Sequence, residues 1–442
     1  MKKVLAIILA AVMIVSLAAC GGKSEPAASG NGAPAASGNA EPAVSTDPIH
    51  IGVVWNQASA NSPISIDIIE GYLADMDNKI SGREIVIHTE DTEGNPSVAV
   101  EKLIKCVDQY GCKFIIGPNG GAEGTAIKAY AENYLEDVTI IVTSAGASQI
   151  TYDTPANLFR ICASGAQAGF GLGQYAYEVL GYRKALTVAS DYDFTFSQVA
   201  GFIYGFVAAG GEIVDRVWFT NNTTDYSSTL ASIAQVGDTY DCIFCGAGAG
   251  DSLYFVQQYH DFGMTVPLLG GSNFTDPSCI TSDIGDYYLG YITSSYYADG
   301  YDSDEYRSFI ENYYRWTGLD ETRTASSFNC DAYVAIEVVR RAIEAVNGNV
   351  EDQAAVQAAV AALNFETPHG PLSFDENHAL VCDIFITEVV KNDSGVNYNK
   401  VIDTVPDVPQ SGPFDYEWYK AQPEPDRNNP AIEDIANAVY SK

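Results

Sequence analysis

The chain has 442 residues, with 57 acidic against 23 basic side chains, a formal charge of −34, and a hydrophobic content of 47%. That charge excludes a nucleic-acid partner, because no basic patch stands out against the field, and makes an anionic membrane surface a repulsive neighbour. The hydrophobic content is that of an ordinary folded protein.

In chain order the first feature is a short apolar run, Val4 to Ala19, preceded by Lys2 and Lys3. A positive flank, a short apolar core and small residues at its end describe an export signal over residues 1–19. The run closes with Leu17-Ala18-Ala19-Cys20-Gly21, which resembles the lipobox of bacterial lipoproteins. The resemblance implies a diacylglycerol on Cys20 and a protein held outside the cell membrane by that lipid. Residues 20–48 are rich in Gly, Ala, Ser and Pro and bury too little to offset their ordering entropy, so a disordered tether is expected there. No later segment is long and apolar enough to span a bilayer.

From residue 49 strands and helices alternate. IHIGVVW (49–55) is an apolar run suited to a buried parallel strand. Ser62-Pro63 reads as an N-cap and first-turn proline, followed by Ile64, Ile68, Tyr72 and Met76 on one helix face. The strand REIVIHT (83–89) comes next, then a helix capped by Asn95-Pro96. KFIIG (113–117), a helix through Ala131 and VTIIVT (138–143) complete a first doubly wound round. A second round opens after residue 163, with strands at KALTVAS (184–190), EIVDRVWF (212–219), DCIFCG (241–246) and VPLLGG (266–271), each followed or preceded by a helix. About 390 residues exceed what one core usually serves, so two α/β lobes are expected. Helices after residue 303 read as additions to one of these lobes. Cys242 and Cys245 form a CxxC, but on a strand positions three apart face opposite sides, which disfavours a shared metal or disulfide. Cys106 and Cys112 flank a helix-to-strand turn and could either pair or stay as buried thiols.

Several segments then match one known family in order: IGVVW, GREIVIHTEDTEGNP, FIIGP, TSAGASQIT before LFR, SDYDF, TDYSSTLASI, NCDAYVAIEVVRRAIE and HGPLSFDEN. From about residue 49 to 400 the chain resembles type I periplasmic binding proteins, and within them the branched-chain amino acid, amide and urea binders of ABC importers. The resemblance implies two doubly wound parallel-sheet lobes joined by a three-crossover hinge near Cys162, Ser294 and Pro371. Lobe one would comprise residues 49–162 and 295–370, lobe two 163–294 and 371–405, with a surface tail over 406–442. It further implies a monomer that shuts on a small solute and docks on a membrane permease. A binding protein that reports to a signalling receptor is the alternative.

Ligands of open α/β sheets sit at the carboxyl ends of the strands. That rule nominates Trp55 and Asn56, the loop with Gly121 and Ala122, Ser144-Ala145-Gly146, Tyr192 and Phe194, and Gly248. Relative to amino-acid binders of the family, the carboxylate-holding Ser falls on Gly121 and the Thr on Gly146, while the acid that meets the ammonium falls on Ser272 or Asn273. An ammonium buried without a carboxylate is costly, so a neutral polar ligand with aromatic contacts is expected. No catalytic residue, metal site or cofactor is expected: GxSxG, HExxH and Walker motifs are absent, and GAGAGD (246–251) ends on Asp251 where a dinucleotide loop needs glycine.

Overall fold

The computed structural model describes residues 45–237, 239–320 and 322–441, so the export signal, Cys20 and most of the tether lie outside the described residues. The first sheet contains β1 (Ile49–Trp55), β2 (Lys79–Ile80), β3 (Arg83–Asp91), β4 (Phe114–Ile116), β5 (Thr139–Val142) and β6 (Leu158–Arg160) in the order β2-β3-β1-β4-β5-β6. All neighbours are parallel except the short β2–β3 hairpin. The order reverses at β1, which opens a crevice beyond the carboxyl ends of β1 and β4.

Helices α1 (Ser62–Ala74), α2 (Pro96–Asp108) and α3 (Gly121–Tyr134) connect these strands. The first cap is Asn61 rather than Ser62, with Pro63 in the first turn. Asn95 caps α2 as read from the sequence, its side chain accepting from Ser97 N–H at 2.9 Å and Val98 N–H at 3.3 Å.

After β6 the chain passes into the second lobe at residues 161–164. There follow α4 (Gly165–Glu178), β7 (Lys184–Ser190), α5 (Asp193–Ala208), β8 (Glu212–Phe219), α6 (Ser227–Val236), β9 (Cys242–Gly246), α7 (Ala249–Asp261), β10 (Leu268–Gly270), α8 (Pro277–Ile280) and β11 (Ile292–Ser295). The chain then returns with α9 (Asp304–Thr317), α10 (Ser327–Ala345) and α11 (Gln353–Ala361). Helices α9 and α10 pack on α1, so the late helices belong to lobe one. It ends with β12 (Asn364–Thr367), β13 (Gly370–Phe374), β14 (Leu380–Lys391), β15 (Asn397–Val408), α12 (Tyr416–Lys420) and α13 (Ile432–Ala436).

The second sheet runs β12-β13-β14-β11-β10-β9-β7-β8, with β15 on β14. It is mixed rather than purely parallel. Strands β7 to β11 pair in parallel, β14 then adds to β11 antiparallel, and a short turn at Asn392–Val396 folds β15 straight back on β14. The crossing expected near Pro371 falls inside β13, and β15 runs past 405 to Val408. The residues beyond are not a surface tail, since Phe414, Tyr419 and Ile435 are 0%, 3% and 4% exposed.

Helices α4 and α5 pack at backbone distance. A Cβ added at Gly205 would lie 2.0 Å from Phe170 O, one at Gly201 2.2 Å from Ala166 O, and one at Gly173 2.3 Å from Phe202 O. Glycines four apart therefore build the contact that floors lobe two. Cys242 and Cys245 fall in different apolar clusters on the two faces of β9. Cys106 and Cys112 are both buried free thiols, with Cys112 N–H bonded to Cys106 O at 3.0 Å. Among the described residues no helix is long and apolar enough to cross a membrane.

Candidate functional site

The strand-end rule brings residues of both lobes to one place where the chain first crosses. After β5, Ser144 is half-buried and Ala145 and Gly146 are buried. From the other lobe, the first turn of α5 carries Phe194, whose ring covers Gly146: a Cβ at Gly146 would lie 2.7 Å from Phe194 Cε2. Gly165 N–H, opening α4, donates to Gly146 O at 2.9 Å and fixes that backbone. One turn along α5 from Phe194, Gln198 is 1% exposed and its Nε2 donates to Ser272 Oγ at 3.1 Å, while its Oε1 has no donor among the described residues. Gly146 of lobe one thus meets Phe194 of lobe two where the chain crosses, and Gln198 and Ser272 meet one turn further along α5. Tyr192 caps α5 and turns its hydroxyl toward Gly248, 3.4 Å from where a Cβ there would stand.

Other nominated residues serve the loops. Trp55 is 2% exposed in the lobe-one core, and its Nε1 has no acceptor among the described residues. Beside it, a cavity of about 10 Å³ reaches Asn119, Thr143 and Ser144. That is room for about one water rather than a solute. Asn56 turns its side-chain oxygen to Ala58 N–H at 3.0 Å and gives its own N–H to Asn119 Oδ1 at 3.1 Å. Gly121 faces Ala147, and Ala122 is exposed at the N-terminus of α3. Asn273 is half-buried and uses its carbonyl to receive Asp276 N–H.

Asp331 carries no local sequence signal. On α10 it is fully buried, and its Oδ2 accepts from Ser144 Oγ at 2.6 Å and from Tyr296 OH at 2.9 Å. Its Oδ1 has no donor among the described residues. Burial pushes this carboxyl up to about 7, and the two hydroxyls offset only part of the effect. Asp251, in the first turn of α7, is likewise raised by burial although Tyr226 OH donates to it at 3.0 Å.

The folded chain holds the Asp331 proton where the unfolded chain has lost it, so stability falls as pH rises from about 4 to about 7. Asp331→Asn keeps an oxygen for both hydroxyls without the charge. Its stability relative to the parent, read from urea unfolding, is therefore expected to be higher at pH 8 than at pH 4.5, by on the order of a few kcal/mol at about 1.4 kcal/mol per unit. An equal difference at both pH values would show that the carboxyl is not raised.

The chain matches the periplasmic binding protein family over residues 48–394 and belongs to it. It is similar to a Leu/Ile/Val-binding protein homolog of Brucella melitensis, 28% identical over 345 residues that cover 76% of this chain and 85% of the relative. Among solved structures it resembles an ABC transporter substrate-binding protein from Sphaerobacter thermophilus, 29% identical with a TM-score of 0.76, covering 81% of this chain and 98% of the other. It also resembles a solute-binding protein of an R. palustris ABC transporter in complex with 4-hydroxybenzoate, 25% identical with a TM-score of 0.75, over 82% and 98% of the two chains. The protein is thus a solute-binding protein of the type I fold and not an enzyme, and its family places it outside the cytoplasm.

Proposed function

We propose that this chain is the capture subunit of an ABC importer, tethered to the outer face of the cell membrane through lipid on Cys20. Its ligand is a small aromatic solute bearing a neutral donor, such as a phenol or an aromatic amide, held between the lobes. The observation that carries this reading is the contact between the lobes: Phe194 of one lies on Gly146 of the other, beside a buried Gln198 oxygen that has no donor among the described residues. A phenol or amide N–H supplies such a donor, and an aromatic body stacks on Phe194.

An α-amino acid fits less well. On the lobe-two edge Asp251 is engaged by Tyr226 and Asp191 by Arg427, so neither is free for an ammonium. The relative named for Leu, Ile and Val supports an aliphatic side chain in the same volume, and the neighbour that holds 4-hydroxybenzoate supports the aromatic one.

A thermal-shift panel of 4-hydroxybenzoate, benzamide, benzoate, urea and L-leucine tests the ligand class. Binding raises the melting temperature by mass action, roughly 2.7 kcal/mol at a hundredfold excess over Kd. Larger shifts are expected with 4-hydroxybenzoate or benzamide than with L-leucine. A shift with L-leucine alone would overturn the ligand class and leave the binding fold standing.

A further inference from the structure

The family match ends at residue 394, yet the chain continues through β15 into a folded extension, 409–441. This extension is bonded to both lobes. Toward lobe one, the fully buried Gln410 donates its Nε2 to Ser148 O at 3.1 Å and receives the Thr151 hydroxyl and Arg160, while Lys420 pairs with Asp153. Toward lobe two, Phe414 packs on Phe170 and Tyr204 with ring centroids at 5.7 and 5.4 Å. Further along, Arg216 on β8 grips the extension by two bonds, Nη1 to Asn428 O and Nη2 to Pro430 O, each 2.6 Å. Asp426 closes the turn between these anchors by accepting from Asn428 N–H at 2.7 Å and Asn429 N–H at 2.8 Å.

At that braced turn stands Arg427. Its Nε donates to Asp191 Oδ1 at 2.8 Å and its Nη2 to Asp191 Oδ2, a bidentate pair. Asp191 opens the rim loop that leads through Tyr192, the cap of α5, to Phe194 at the contact between the lobes. We infer that the extension is a working part of the cleft and that Arg427 is a positioning residue, fixing the Asp191–Phe194 rim through Asp191. The inference rests on the reading of the interlobe contact as the ligand site.

Two physical points separate this from an ordinary surface ion pair. The Arg427 side chain is 60% exposed, so solvent screening keeps its contribution to global stability small. A planar fork fixed at both ends nevertheless sets the orientation of the carboxylate it holds, and this carboxylate begins the loop that places the aromatic residues. The same extension holds lobe one at Gln410 and Lys420, so hinge motion must carry or release those bonds.

The experiment compares hydrogen exchange in the full mature chain and in Arg427→Ala, without ligand. Amides of residues 191–197 are expected to exchange roughly five- to tenfold faster in the variant, with amides of β1 and β5 unchanged, as for a local opening. The charge-swapped double variant Asp191→Arg/Arg427→Asp is expected to recover part of the protection. Unchanged exchange at 191–197, or a uniform rise across both lobes, would overturn the inference. With 4-hydroxybenzoate as probe, Kd is expected to rise about fivefold while the melting temperature stays within about 2 °C. Failure of that compound to bind the parent would count against the ligand reading alone, because the exchange result stands without it.

Discussion

Gly146→Val is expected to lower ligand affinity at least about a hundredfold while both lobes stay folded. The added Cβ would stand 2.7 and 2.8 Å from two carbons of the Phe194 ring. The Gly146 backbone cannot retreat, since its carbonyl receives Gly165 N–H at 2.9 Å. The half-exposed ring is the group that yields, and it yields into the space between the lobes. A hundredfold loss corresponds to about 2.7 kcal/mol, which calorimetric titration with the best compound of the panel resolves readily. The double variant Gly146→Val/Phe194→Ala removes the clash and should bind better than Gly146→Val alone. Parent-like affinity in the single variant would mean that Phe194 does not border the ligand.

The largest expected loss of stability comes from Gly205→Val. Its Cβ would fall 2.0 Å from Phe170 O and 2.9 Å from Phe170 C, both backbone atoms of α4 that no rotamer change can move. The helices must separate along a contact that Gly201 and Gly173 make nearly as close, at 2.2 and 2.3 Å. Overpacking of side chains costs about 1–3 kcal/mol, and a backbone clash belongs at or above the upper end. Urea unfolding followed by the fluorescence of Trp218 and Trp418, both packed on this lobe, should show a midpoint shift of at least about 1 M at the slopes usual for domains of this size. An unchanged midpoint would contradict the packing described for α4 and α5.

The parts of this architecture legible in the sequence are those written in local runs. Strands β1, β4 and β5 are continuous apolar segments because both of their faces are covered, and Asn95-Pro96 is a cap because its chemistry is complete within four residues. Strands β14 and β15 were not legible as such, since β14 is placed by pairing with β11, about a hundred residues earlier, and β15 by pairing with β14. The extension was misread for the same reason: Phe414 and Tyr419 earn no local pattern, and their partners, Phe170 and Tyr152, lie more than two hundred residues away. The strand-end rule nominated Ser144, Gly146 and Phe194, and the fold brings Gly146 and Phe194 together because loops after parallel strands share one edge. It also nominated Trp55, which the all-buried end of β1 turns into the core. Gln198 and Asp331 sit inside helices, where no turn or cap advertises them. The repeated glycines of α4 and α5 were readable at intervals of four, as a sign of close helix approach.

Small-angle scattering of the mature chain, with and without a saturating compound from the panel, tests the central claim that solute capture shuts the two lobes on each other. A smaller radius of gyration is expected with the compound, and no such change in Gly146→Val. Superimposable profiles for the parent, at a compound concentration that calorimetry shows to be saturating, would contradict it.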